Sequence, residues 1–201
     1  MQVRDFLRDV LHFSDPGLLA VLTPATRLVH CGRGTVIMTG DLPEWTSFIL
    51  RGVMRGYLVD ESGNEITDCF LSRKGDAIFT CRTLAAPFPV TYEAVTDCDL
   101  IQIPTDILKE ESSRRPELVW LYSDFLLRQL RLHRNLRLLV SLRSAAERYQ
   151  WFLRQYPELV GVVRDKHIAS FLSMSPVSLS RLRRQLKEAS GTEESAVPTD
   201  A

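Results

Sequence analysis

Residues 166–186 read KHIASFLSMSPVSLSRLRRQL. Ser175 suits a helix N-cap, because its hydroxyl can accept a hydrogen bond from a free amide of the first turn. Pro176 suits the first helical position, where a missing N–H costs nothing. One apolar stripe follows, formed by Leu179, Leu182 and Leu186. This pattern predicts an amphipathic helix that begins at Ser175-Pro176 and runs to about Glu188.

A shorter helix, predicted over residues 165–172, precedes it, and only Ser173-Met174 separate the two. Two short helices joined by such a turn form a helix-turn-helix, whose second helix can enter the major groove of duplex DNA. Helix pairs with a basic face also occur in proteins that never touch DNA. The motif alone therefore leaves docking on a protein partner open.

The charge is unevenly distributed, although 25 basic and 25 acidic residues balance over the chain. Residues 2–115 carry twelve basic and sixteen acidic side chains, whereas residues 143–189 carry nine basic and four acidic ones. A basic C-terminal part suits a polyanionic partner. The contrast indicates two parts with different roles.

The second helix offers specific candidates for DNA contacts. Arg181 can donate two hydrogen bonds to a guanine, and Pro176 and Val177 can make apolar contact with a thymine methyl group. Polar side chains nearby are candidates for phosphate contacts. Such contacts fix the position of the protein along the duplex more than they select its base sequence. These are Lys166, Ser175, Ser178 and Arg184.

The N-terminal half has a different pattern of apolar residues and turn signals. Residues 3–22 have apolar side chains at helical spacing and predict one or two short helices. Between Thr26 and Pro104, short β-rich runs such as 47–50, 55–59 and 99–103 alternate with Gly-rich turn signals. Many short strands at close spacing predict a β-barrel or sandwich.

A helix of about 40 Å is predicted over residues 116–142, because Pro116 suits its first turn and neither Gly nor Pro follows. This helix carries more leucine residues than a single buried face requires. It is either a core helix of the monomer or a helix packed on its two-fold mate. The candidate dimer contacts are Leu121, Phe125, Leu132, Leu136 and Leu139.

Several function classes lack support in the sequence. The histidines are isolated, and no GxSxG, phosphate-binding glycine loop or HExxH motif occurs, so no catalytic site is expected. No charged leader or uninterrupted apolar run is present, which favours a cytoplasmic protein without a membrane partner.

The four cysteines are scattered without a CxxC pair and are interpreted as small buried hydrophobes, with no metal site predicted. They are Cys31, Cys69, Cys81 and Cys98.

From about Phe13 to Leu186 the chain resembles the Crp–Fnr family of bacterial transcription regulators. The resemblance rests on the order and spacing of several motifs. These are residues 40–41, 48–55, 63–65, 75–76, 146–149, 168–172 and 179–183. It implies a homodimeric DNA-binding regulator with a cyclic-nucleotide-binding-like sensor, and RNA polymerase is a further candidate partner.

The implied fold is α+β. An antiparallel β-roll of the double-stranded β-helix or jelly-roll type would occupy residues 1–115, and a dimerisation helix residues 116–142. A helix-turn-helix domain would occupy residues 143–189, with a disordered tail at 190–201. Many relatives continue into a β-hairpin wing after the recognition helix, whereas here Ser190-Gly191-Thr192 follow, so no wing is expected.

The sensor departs from the family pattern at the residues that would bind the phosphate of a cyclic nucleotide. In cyclic-AMP-binding members an acidic residue follows a Gly, and an Arg-Ser or Arg-Thr pair comes later. Here Asp76 follows Gly75, but the later positions fall on Phe88-Pro89, which offer neither charge nor side-chain donor. Binding of cyclic AMP is therefore not expected, and no cofactor is predicted.

A pocket for a different small-molecule effector is one interpretation of the sensor, and a filled core without a ligand is another. The candidate pocket residues are Phe70, Gly75, Asp76, Phe79, Phe88 and Tyr92. The alternative function is a ligand-binding β-roll whose helical end docks on a protein partner.

Overall fold

The computed structural model describes residues 2–38, 44–78 and 90–194. The chain forms two compact units, Met1–Arg131 and Leu132–Ala201. The boundary between them falls inside the long helix predicted over 116–142, whereas the sequence placed domain boundaries at its two ends.

The first unit contains two four-stranded antiparallel sheets among its described residues, with strand orders β1-β8-β3-β6 and β2-β7-β4-β5. The strands are β1 (Arg27–Cys31), β2 (Val36–Met38), β3 (Trp45–Arg51), β4 (Met54–Val59), β5 (Glu65–Leu71), β6 (Ala77–Ile78), β7 (Thr91–Ala94) and β8 (Cys98–Pro104). The three strand runs predicted from the sequence lie within β3, β4 and β8, so these predictions are confirmed.

Successive side chains of the first sheet face two different cores, as the alternation of a strand requires. Ile49 and Leu100 pack between the two sheets. Phe48 and Ile101 face the other way, against Phe6 and the rest of an apolar layer formed by N-terminal helices. These helices are α1 (Val3–Asp9) and α2 (Pro16–Ala25). Burial on both faces explains why β3 and β8 carry near-continuous apolar runs.

Two helices follow the sheets, α3 (Thr105–Arg114) and α4 (Pro116–Leu142), and α4 has the predicted bounds. Leu118 of α4 is buried in the core beneath the first sheet, and Leu121 and Phe125 pack against that core. This part of α4 therefore belongs to the hydrophobic core of its own unit.

The second unit is helical. Its elements are α5 (Ala145–Gln155), a 3₁₀ turn (Pro157–Leu159), α6 (Asp165–Phe171) and α7 (Pro176–Glu194). Helix α7 continues to Glu194, into the segment for which the sequence predicted a disordered tail, and residues 195–201 lie outside the described residues. Within the described ranges, the chain contains no helix that combines the length and apolar character needed to span a bilayer.

Candidate nucleic-acid interface

The turn between α6 and α7 is tightly hydrogen-bonded. The Ser173 amide donates to the Ser170 carbonyl at 3.0 Å, and the Met174 amide donates to the Ala169 carbonyl at 2.9 Å. Ser173 has a left-handed backbone, with φ of 52°. Only four residues separate α6 from α7, and this tight turn is the connection that the helix-turn-helix prediction requires.

The N-cap prediction for α7 is confirmed. The Ser175 hydroxyl accepts a hydrogen bond from the Ser178 amide at 3.1 Å. The hydroxyls of Ser175 and Ser178 also lie 2.9 Å apart and share a hydrogen bond. Both were candidates for phosphate contacts, and that role stays a prediction.

Helix α7 has one buried and one exposed side at its N-terminal end. Leu179 is completely buried, whereas 60% of the Val177 surface is exposed. Pro176 and Arg181 are also exposed. The structure thus places all three predicted base-contacting side chains on the accessible part of the first two turns. Of the predicted phosphate contacts, Lys166, Ser175, Ser178 and Arg184 are exposed as well.

The arginines of α7 differ in their partners. Arg183 forms an ion pair with Asp165, the first residue of α6, and so links the two helices. Arg184 Nε lies 4.0 Å from Glu188 Oε1 on its own helix. Arg181 has no ion-pair partner among the described residues, so its guanidinium remains available to a ligand.

Arg148 on α5, within the 146–149 motif, makes a contact that the sequence pattern did not predict. Its Nη1 donates to the backbone carbonyls of Leu172 and Ser173 at 2.8 and 3.1 Å. Arg148 and Leu172 are 24 residues apart, so local spacing does not reveal the contact.

The structure places two described members of the candidate effector pocket, Phe70 and Tyr92, on opposite sides of the second sheet. Tyr92 and Cys69 both pair with Gly56 across the second sheet, and both lie in the core between the sheets. Phe70 pairs instead with Arg55 and therefore faces away from that core. Phe79 and Phe88 lie outside the described residues.

Asp76 and Gly75 form a turn. The Asp76 carboxylate accepts hydrogen bonds from the amides of Ser72 and Arg73 at 3.0 and 2.9 Å. Gly75 has φ of 90°, and a Cβ there would lie 2.8 Å from Val10 Cγ1. These two residues therefore have local structural roles in the β5–β6 connection.

Solved structures resemble the chain over most of its length. A protein from Eubacterium rectale, described as a transcriptional regulator of the crp/fnr family, is 20% identical with a TM-score of 0.72, over 90% of this chain and 87% of that chain. FixK2 from Bradyrhizobium japonicum is 18% identical with a TM-score of 0.70, over 88% and 89%. The chain has the Crp–Fnr fold.

The same fold occurs in CLP, a c-di-GMP-responsive global regulator of Xanthomonas campestris, at 13% identity and a TM-score of 0.67, over 88% of this chain and 93% of that chain. No protein-family model matches the chain, and no curated protein is significantly similar to it. The likeness is therefore one of architecture at low sequence identity.

In this Crp–Fnr fold, helix α4 exposes apolar side chains opposite the core of the first unit. Leu126 and Leu130 are 44% and 63% exposed. Further exposed apolar residues of α4 are Val119, Trp120, Tyr122 and Leu127. The five residues predicted as dimer contacts are half-buried or buried within the single chain: Leu121, Phe125, Leu132, Leu136 and Leu139. Leu121 and Phe125 pack, partly buried, against the core of the first unit, and the role of the five residues in a dimer stays a prediction.

A buried cation lies on the outer side of the second sheet. Arg55 has no exposed surface. Its Nε donates to Thr67 Oγ1 at 2.9 Å, and its Nη1 donates to Glu65 Oε2 at 2.6 Å, with Glu93 Oε2 at 3.6 Å. The guanidinium also lies over the Tyr57 ring, 4.5 Å from its centre. Two carboxylates compensate one cation here, so the cluster has the character of a structural ion-pair network.

The cysteine interpretation is confirmed for three residues. Cys31, Cys69 and Cys98 are buried and free, and they pack in the core between the sheets. Burial raises the pKa of the Cys69 thiol to about 12, which keeps it protonated and unreactive at neutral pH. Cys81 lies outside the described residues.

Proposed function

We propose that this protein is a homodimeric, DNA-binding transcription regulator of the Crp–Fnr type, in which α7 reads base edges in the major groove. The observation that carries the proposal is the N-terminal end of α7. It exposes Val177 and Arg181 while Leu179 anchors the helix in its own unit. A rigid helix end with an accessible arginine suits direct readout of a guanine.

Three further observations support the proposal. The segment 143–189 carries an excess of basic side chains, which suits a phosphate backbone. Proteins of the same fold are described as transcriptional regulators. The exposed apolar side of α4 suits a two-fold partner.

The finer features belong to the same proposal. The two sheets act as a sensor roll of the jelly-roll type. The protein works in the cytoplasm, and RNA polymerase is the further partner of the DNA-bound dimer.

Selection of binding sites from random duplex DNA, followed by bandshift titration of the selected site, tests the proposal. We expect binding of the selected duplex that weakens as salt is raised, because phosphate contacts release counterions. Absence of any shift at low salt would contradict DNA binding. Retention of a protein partner after nuclease treatment would then favour the alternative, in which the helical end docks on protein.

Replacing Arg181 with Ala should reduce discrimination between the selected site and random DNA by about 1–3 kcal/mol, because a bidentate contact with guanine is lost. The measurement is the ratio of the two dissociation constants. Arg154→Ala is the matched control, since it removes the same charge from an exposed position near the end of α5. An equal loss on both DNAs would show that Arg181 contacts only phosphate.

We also propose that the sensor does not bind cyclic AMP. The Asp76 carboxylate accepts two backbone amides of its own turn. The space between the sheets contains packed side chains, among them Tyr92 above Gly56, where a Cβ would lie 3.1 Å from Tyr92 Cε1. Titration calorimetry with cyclic AMP should detect no heat of binding, and the nucleotide should leave DNA affinity unchanged. Saturable binding, or a change in DNA affinity, would disprove this part of the proposal.

A further inference from the structure

Arg148 lies where it can control the start of the DNA-reading helix. Its side chain extends from α5 to the last residues before the α6–α7 turn, where Nη1 donates to the carbonyls of Leu172 and Ser173. Ser175, the N-cap of α7, follows Ser173 by two residues. One guanidinium thus connects a separate helix to the peptide from which α7 begins.

The two carbonyls need an external donor. The last carbonyls of a helix have no intrahelical amide partner. The amides of Ser173 and Met174 donate backwards to Ser170 and Ala169, and Pro176 has no N–H to offer. A cation at the carboxyl end of a helix also interacts favourably with its terminal carbonyl groups. Arg148 therefore supplies both the donor and the charge that this turn lacks.

The backbone at Ser173 gives this contact a further role. A positive φ is readily adopted by Gly, but it is unfavourable for a residue with a Cβ. Ser173 has φ of 52°, and its own carbonyl is one of the two that Arg148 binds. The hydrogen bond thus fixes the peptide plane that follows the least favourable backbone conformation in the turn.

Arg148 also incurs a desolvation cost. Its Nε is buried and has no hydrogen-bond partner in the described part of the chain. Leaving a donor buried and unbonded is unfavourable, so a solvent-exposed arginine would be the more stable choice if only charge were needed. The contact with the two carbonyls offsets this cost.

We propose that Arg148 is a positioning residue for sequence reading. It fixes the turn, and through the turn it sets the position of Val177 and Arg181 relative to base edges. The inference rests on the proposed function. A bidentate arginine–guanine contact depends on distance and angle within narrow limits, so loosening the turn should affect discrimination before it affects nonspecific binding.

Arg148→Met and Arg148→Lys test the inference in the full-length protein. The methionine variant removes the donors while keeping much of the apolar stem, and the lysine variant keeps a charge and a donor. We expect Arg148→Met to lower the ratio of selected-site to random-DNA affinity by about 5- to 100-fold, the range of one bidentate base contact. Affinity for random DNA should change little, and Arg148→Lys should restore part of the ratio.

Amide hydrogen exchange supplies a readout that does not depend on DNA. Exchange at residues 174–178 should accelerate in Arg148→Met, while exchange within the rest of α5 stays unchanged. Arg143→Met is the matched control, because Arg143 is 60% exposed and its ion-pair partner within the described ranges is Glu147, on the surface near the start of α5. It should leave both the affinity ratio and the exchange pattern as in the unmodified protein.

The outcomes separate the inference from the proposed function. If affinities for both DNAs fall in parallel with the melting temperature, Arg148 only stabilises the second unit and the inference is wrong. An unchanged ratio in Arg148→Met would also overturn it. If that variant does not fold, Arg148→Lys decides the matter through the same ratio and exchange pattern. A failure of the unmodified protein to distinguish any DNA sequence would instead contradict the proposed function.

Discussion

Replacing Glu65 and Glu93 together with glutamine is expected to destabilise the first unit by about 3–5 kcal/mol, because an uncompensated buried cation remains. Arg55 has no exposed surface, and these two carboxylates neutralise it. Its Nη2 has no hydrogen-bond partner within the described residues. The measurement is urea unfolding, with hydrogen exchange of β4 peptides to identify the transition of the first unit.

Adding Arg55→Met to the same variant should recover most of the lost stability. Replacing a whole buried ionic cluster by uncharged groups is often neutral or stabilising, whereas removing only the counter-charges is not. The methionine side chain can pack beside Tyr57 and Phe70, which lie on the same side of the second sheet. Further destabilisation by Arg55→Met would show that the hydrogen bond of Arg55 to Thr67 and its contact with Tyr57 contribute more to stability than the burial of its charge costs.

The control is an ion pair in the other sheet whose cation is exposed and whose carboxylate, that of Asp99, also lies 2.9 Å from His30 Nδ1. Arg51 donates to Asp99, but 72% of the Arg51 side chain is exposed to solvent. Surface pairs of this kind contribute about 0–1 kcal/mol. Asp99→Asn should therefore change the unfolding free energy by about 1 kcal/mol or less, and a loss as large as that from the double glutamine variant would disprove the burial argument.

Sequence patterns predicted secondary structure well where a local physical signal was strong. Pro116 at a first helical turn and the absence of Gly and Pro after it gave the bounds of α4. Ser175 and Pro176 likewise marked the start of α7. The end of α7 was less predictable. Ser190-Gly191 are weak helix formers and suggested an end at about Glu188, but they are not a strong stop signal, and the helix continues to Glu194.

The contact faces of α4 could not be predicted in the same way. Leucines occur on several sides of this helix, so the 3.6-residue period does not separate the core side from the exposed side. Leu121 and Phe125 were predicted as dimer contacts, and the first unit packs both of them, partly buried, against its own core. Only the packing of α1, α2 and the first sheet decides which side of α4 remains free.

The candidate effector pocket shows a related limit. Phe70 and Tyr92 are both aromatic residues of β-rich segments, and the sequence gives no register between β5 and β7. The register shift between Gly56 and Tyr57 leaves Asp68 as an extra residue in β5, a feature that spacing alone does not reveal. The pairing with β4 then places Phe70 and Tyr92 on opposite sides of one sheet.

For the proposed dimer, replacing Leu126 and Leu130 with glutamate is expected to shift the protein to a monomer. Both side chains lie on the exposed side of α4, together with Val119, which precedes Leu126 by one heptad. In a two-fold interface each introduced carboxylate would lie close to its own symmetry mate, so burial and repulsion both oppose association. Because both leucines are substantially exposed in the single chain, its fold should tolerate the change.

Sedimentation equilibrium measures the change in association directly. Ser113→Glu is the control, since it adds a carboxylate at an exposed position on α3 without touching the apolar side of α4. It should leave the dimer intact. A dimer that persists in the Leu126→Glu, Leu130→Glu variant would show that the copies associate through another surface.

Loss of the dimer should have its largest effect on DNA. Two linked reading helices bind a palindromic site with an affinity that exceeds single-site binding by about 10²–10⁴-fold, because the second contact is intramolecular. The double glutamate variant should lose a factor of this size on the selected full site. Its affinity for an isolated half-site, where only one α7 can bind, should match that of the unmodified protein. A loss on the half-site as well would mean that the substitutions perturb the second unit, so the half-site titration separates the loss of dimerisation from damage to the reading helix.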